Sequence, residues 1–161
     1  MGESLALWTD VRRDLELADR SCGRAFRRAA TLHDDPTLDE HLRPDLELAV
    51  SKLIHDTYCA LKSVLERLIV VSDGSLPTGR DYHAEPIRRA ATAIDGERPT
   101  IITRETARDL QELRAFRHVV RHVYDDFDYS RAEPNVAVAA RCTAAVTREV
   151  EAFCEAVGIK A

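Results

Sequence analysis

Glycine and proline are scarce in this chain. Six of each occur among 161 residues, mostly in three places, so long elements with short breaks are expected. No period-two alternation marks a strand, and no glycine-rich phosphate loop or internal repeat appears. The longest apolar runs, such as Leu68-Ile69-Val70-Val71, are far too short to span a bilayer. The first residues hold Glu3 and Asp10 and no apolar stretch, so no secretory leader is expected. Met1-Gly2 is not followed by Ser or Thr at position 6, so the myristoylation pattern fails. Cysteines stand at 22, 59, 142 and 154, with no Cys-x-x-Cys pair. They read as small buried core residues in a reducing cytoplasm; a zinc site would need closer spacing or nearby His. Positive charge is not in excess either: 23 Lys and Arg stand against 28 Asp and Glu, a net −5. A protein that holds nucleic acid by bulk charge is basic, so any RNA contact here must come from a local patch.

Hydrophobic residues make up 45% and charged residues 32%, the balance of a soluble globular protein. The length fits one domain, residues 1–161. The patterning is helical throughout. Trp8, Val11, Leu15, Ala18, Cys22, Ala25, Ala29 and Leu32 step by three and four, predicting a first helix over 4–32 that ends at Asp34-Asp35-Pro36. Arg24, Arg27 and Arg28 near its end read as solvated charge. A second helix, within 37–72 and starting near Pro44, carries a wide apolar face from Val50 to Val71. His55 reads as a gap-filling or capping group. Residues 73–86 form a loop that is long for a helix connection, with turns at Asp73-Gly74 and Pro77-Thr78-Gly79. Arg80 and His83 lie in it. A short helix over 86–95 stops at Asp95-Gly96. A last helix over about 133–157 is expected to begin with a Ser130-x-x-Glu133 capping box and to end at Gly158. The fold class is all-α: an up-and-down bundle of four long helices and one short one.

The chain is organised around residues 101–129, expected to be helical with Thr103 as N-cap. At about 100° per residue, Leu110, Leu113, Phe116, Val120, Val123 and Phe127 share one half of the circumference. Arg117, His118, Arg121, His122 and Tyr124 make up a polar face, which meets the apolar one at Arg117 and Tyr124. Arg117 and His122 point about 140° apart, at opposite edges of the polar face. Guanidinium groups grip phosphate through paired hydrogen bonds, and imidazole moves protons near neutral pH. RNA carries its own nucleophile, the 2′-OH. A general base and a cation on the phosphorane oxygens then suffice, with no metal or other cofactor. A basic, solvated helix face is the plain alternative.

Two other chemistries fit poorly. His118-x3-His122 has the spacing of a helical metal pair, with Asp125 and Asp126 following. The zinc-protease pattern needs Glu after the first His, however, and this chain has Val119. Arg117 and Arg121 would also repel a cation. A Ser/His/Asp triad needs a nucleophile on a strained turn, and none is marked.

The string Arg117-x4-His122-x-Tyr124 resembles the Arg-x(4–6)-His signature of HEPN ribonucleases. With Tyr two residues after the His, and with Phe116-Arg117-His118-Val119-Val120-Arg121-His122 around it, the segment is similar to the HepT toxins of HepT/MntA-type toxin–antitoxin pairs. The Leu76-Pro77-Thr78-Gly79 turn and Asp81-Tyr82-His83 resemble that family's loop before its short third helix. The resemblance spans roughly 45–130 and is most specific at 114–124.

The resemblance implies a metal-independent endoribonuclease, the toxin of a type VII-like pair, acting in the cytoplasm. Arg117 and His122 are the catalytic residues it implies, in a cleft shared by a homodimer. Which proton-transfer step His122 takes stays open. Arg114, His118 and Arg121, with Arg80 and His83 from the loop, would bind RNA. Tyr124 is the position that an MntA-like nucleotidyltransferase antitoxin would adenylylate. The alternative is a non-catalytic HEPN binding module, a partner of a nucleotidyltransferase or a nucleotide-binding domain.

Overall fold

The computed structural model of the chain describes the backbone of residues 2–77, 84–121 and 128–159, with the side chains of these residues except 2–4 and 117–121. Among the described residues five α-helices succeed one another: α1 Gly2–Asp34, α2 Leu42–Asp73, α3 Glu85–Ala90, α4 Arg104–Arg121 and α5 Pro134–Ala156. No strand is present among the described residues, and none of their helices is long and apolar enough to cross a membrane.

α1 buries its heptad stripe. Trp8, Val11, Leu15, Ala18, Cys22, Ala25 and Leu32 all face the core, and Ala29 packs at its margin. Such a seam suits two long helices lying at a shallow angle. α2 supplies the other side with Leu53, Ile54, Leu61, Leu65 and Leu68. The chain reverses between them, and the side chains record it. Arg67 Nε donates to Asp14 Oδ2 at 2.8 Å, and Arg43 Nη1 donates to the Leu32 carbonyl at 3.2 Å. The reversal is set at Asp35, whose Oδ1 accepts from the Thr37 backbone N–H at 2.9 Å and the Thr37 hydroxyl at 2.7 Å. These bonds hold the Asp35 carboxyl below the usual range.

The apolar patterning overreaches at element ends. Val71 was expected on the buried face of α2 but is 53% exposed, on the outer side of a helix end whose inner side stays covered as far as Asp73. Ile69 is buried instead. Val157 is likewise exposed at the end of α5. Of the four cysteines, Cys22, Cys142 and Cys154 are buried as expected, whereas Cys59 is exposed, with its Sγ 3.5 Å from His55 Nε2. None of them is in a disulfide.

Three boundaries also differ. The short helix ends at Ala90, and a turn closed by Ile94 and Arg98 follows, with Gly96 at φ 74°. Ile101 and Ile102 are not helical. They are buried, and their N–H groups donate to the Ala90 carbonyl at 2.8 and 3.2 Å, finishing α3 rather than starting α4. Asp128 is extended, at φ −103° and ψ 100°, so the helix expected to run to 129 does not reach it. Its side chain accepts from the Ser130 N–H at 3.0 Å and heads a 3-10 turn, Tyr129–Arg131. That interaction replaces the capping box: Glu133 makes no side-chain cap, and α5 begins on Pro134. The far end of α5 is as read. Gly158 sits at φ 72°, Gly158 N–H donates to the Glu155 carbonyl, and Ile159 N–H donates to Cys154 at 2.9 Å, the paired bonds of a Schellman ending.

Candidate functional site on the fourth helix

α4 has the two-faced character that a site-bearing helix needs. Leu110 and Leu113 are buried at 0% and 1% exposure, and Phe116 follows at 4%. Burying each such side chain contributes about 1.5–3 kcal/mol, so this stripe seats the helix against α2 and α5.

Its start is fixed from outside. Thr103 Oγ1 accepts the Thr106 N–H at 3.2 Å, the N-cap bond expected of it. Glu149, on α5, accepts the Thr103 N–H at 2.8 Å and the Thr106 hydroxyl at 2.8 Å. A carboxylate is thereby placed at the positive end of the α4 dipole. One turn further on, Arg141 of α5 grips Asp109 with two bonds, both 2.8 Å.

The approach to α4 is fixed by a buried ion cluster. Asp73, the last residue of α2, has a side chain with no exposed surface, and that of Arg98 is 3% exposed. Arg98 Nε and Nη2 donate to the two Asp73 oxygens at 2.5 and 2.9 Å. The remaining guanidinium protons go to the carbonyls of Thr92, Pro99 and Arg89. Arg89 Nε adds a further bond to Asp73 at 2.5 Å. Every donor of Arg98 is used, the condition under which a buried charge is tolerated. The Arg98 guanidinium, first, and Arg89 hold the Asp73 carboxyl below its ordinary value despite burial.

Sequence reading passed over both anchors. Asp73-Gly74 marks a turn and Arg98 precedes a proline, but their pairing spans 25 positions, and Glu149 meets Thr103 across 46. The available hints were an acid closing one helix and an Arg in a short turn.

Arg117, His118 and Arg121 lie in the last turns of α4, with Arg117 and Arg121 one turn apart. His122, Tyr124, Arg80 and His83 lie outside the described residues. Arg114, expected to bind RNA, is half-buried, and its Nε donates to Gln111 Oε1 at 2.6 Å. Gln111 Nε2 reaches the Ala84 carbonyl at 3.4 Å, so this pair also ties α4 to the entrance of α3.

Among the described residues, no group of three or more His, Cys, Asp or Glu side chains is arranged to hold a metal. Burial pushes the Cys142 thiol up to about 12 and raises that of Cys22, so both stay protonated and inert near neutral pH.

No curated protein and no solved structure matches this chain. A family model described as HepT-like protein matches residues 49–157, from early in α2 to the end of α5, with the whole Arg117–Tyr124 string inside it. On that match the chain belongs to the HepT-like protein family.

Proposed function

We propose that this protein is a metal-independent endoribonuclease of the toxin kind, held in check by a nucleotidyltransferase partner. The observation that carries the reading is the complete Arg117-x4-His122-x-Tyr124 string, which starts in the last turns of α4 and lies inside a HepT-like match. A helix clamped at its start by Glu149 and Arg141 and seated by Leu110, Leu113 and Phe116 is a rigid mount, as catalytic groups require.

In this reading Arg117 holds the scissile phosphate and stabilises the charge of the phosphorane. The ribose 2′-oxygen attacks phosphorus, its proton passes to a base, and the 5′-oxygen leaves with a proton from an acid. The products are a 2′,3′-cyclic phosphate and a 5′-hydroxyl. His122 takes one of the two proton transfers. The other group comes from a second copy of the chain, across a shared cleft. Arg114, His118 and Arg121, with Arg80 and His83, extend the phosphate-binding strip. Adenylylation of Tyr124 would add bulk and negative charge to the Arg117-x4-His122-x-Tyr124 string and repel RNA.

The test is substitution with the fold monitored. His122→Ala should abolish RNA cleavage and leave the helical circular dichroism unchanged. Arg117→Lys should cut the rate by at least about tenfold, since Lys cannot make the paired phosphate contact. Full cleavage by a folded His122→Ala protein would end the reading.

A further inference from the structure

From Arg20 to His33 the chain has no acidic residue and four arginines, in a protein of net charge −5. All of this stretch lies within α1. Arg20, Arg24, Arg27 and Arg28 make no ion pair with a described carboxylate. Arg43, Arg104, Arg108, Arg114 and Arg131 make none either but are scattered over the chain, whereas Arg12, Arg13, Arg67, Arg88, Arg89, Arg98, Arg141 and Arg148 are paired. Helical spacing aligns Arg20, Arg24 and Arg27 along one ridge, and Arg20 to Arg28 covers about 12 Å. Phe26, 59% exposed, the largest exposure of any large hydrophobic side chain described, lies off this ridge, about 100° round the helix from Arg27 and on the side of the groove that Arg27 also lines.

Phe26 and Arg27 line a groove of about 490 Å³ between α1 and α5, opposite Thr143, Thr147 and Arg148. Asp19 and Glu151 close it at one end, so an anion is favoured only toward the Phe26–Arg27 end. That end points the same way as the last turns of α4. Arg43 bonds the Leu32 carbonyl, which puts the end of α1 beside the start of α2. Glu47, in the opening turns of α2, acts electrostatically on Tyr129, shortly beyond α4.

The geometry points to a second RNA contact on α1: the Arg20/Arg24/Arg27 ridge carries the phosphate backbone of a single strand, and Phe26 stacks a base at the mouth of the groove. A row of guanidiniums with an exposed ring beside one end of it, as Phe26 stands beside Arg27 at the groove, is a combination that holds single strands without reading sequence. An acidic protein would use the cations but would leave the ring without a role. The inference takes its ligand class from the nuclease reading. Its consequence is that RNA is held well beyond the scissile phosphate, so short substrates are cut less efficiently.

The probe is a fluorescent 2′-O-methyl oligouridylate, which binds but has no 2′-OH to attack, followed by anisotropy across a salt series. Arg24→Glu/Arg27→Glu should weaken binding by more than about tenfold and flatten the salt slope by about 1.4, the value for two lost single-strand phosphate contacts. Phe26→Ala should weaken it by about tenfold at unchanged slope. Arg24→Gln/Arg27→Gln replaces the first variant if charge reversal impairs folding. Wild-type affinity and slope in either folded arginine variant overturns the inference. So does competition by polyglutamate equal to that by RNA, together with no effect of Phe26→Ala, since the surface then fits an acidic protein. The two readings fail separately. If the arginine variants bind normally while His122→Ala stops cleavage, the nuclease stands without this track. If wild type cuts nothing yet binds through Arg24 and Arg27, the track stands without the nuclease.

Discussion

Arg98 meets Asp73 in a two-pronged ion pair, at 2.5 and 2.9 Å, where neither side chain has appreciable access to water. The pair ties the end of α2 to the turn before α4. Removing one partner leaves the other charge buried and unpaired, so Arg98→Ala should cost about 3–5 kcal/mol in a urea denaturation series. The pair also sets an acid limb. The Asp73 carboxyl is depressed below 3.8 in the folded protein, so its contribution is present above that pH. It is lost as pH falls through the lower folded value. Asp73→Asn should lower stability at neutral pH and flatten the decline below 3.8. An unchanged acid limb would mean that other carboxylates set it.

Glu149→Ala should remove the carboxylate that holds Thr103 and Thr106 while leaving α5 otherwise intact. A lost cap of this kind costs about 1–2 kcal/mol. Hydrogen exchange should quicken in the first turn of α4 more than within α5. Equal acceleration in both helices would mean that Glu149 stabilises the bundle generally.

Cleavage should persist in excess EDTA and leave a 2′,3′-cyclic phosphate end, because the proposed chemistry uses the 2′-OH and no metal. Activity lost to the chelator and restored by a divalent ion would return the His118/His122 pair to consideration as ligands.

Mixing Arg117→Ala chains with His122→Ala chains should restore part of the activity, if the cleft is shared between two copies and needs one Arg and one His. A species that sediments as a monomer and still cuts RNA at the full rate would rule out the composite cleft.

The heptad stripe of α1 and the apolar face of α2 were legible because burial repeats at helical spacing, and Gly158 was legible because an ending in left-handed backbone favours glycine. Ile101 and Ile102 fell inside the segment read as the helix, ahead of its Thr103 cap, because nothing local shows that their N–H groups serve α3. The Ser130–Glu133 box failed because Asp128, two residues earlier, took the Ser130 N–H. In the candidate site, the Arg117–Tyr124 string is local and readable, whereas the supports of its helix are not. Glu149, Arg141 and Arg98 act across long sequence separations, and nothing adjacent to any of them announces its partner.

The order in which a ribosome makes this chain gives the grip of α5 on α4 a second meaning. Arg117 and the rest of the string are synthesised before Arg141 and Glu149, the two side chains that fasten α4, on which Arg117 lies. Until those positions have left the exit tunnel, α4 has neither its anchor at Asp109 nor the carboxylate at its first turn. If the product is toxic to the cell that makes it, an unfinished chain is then a poor poison.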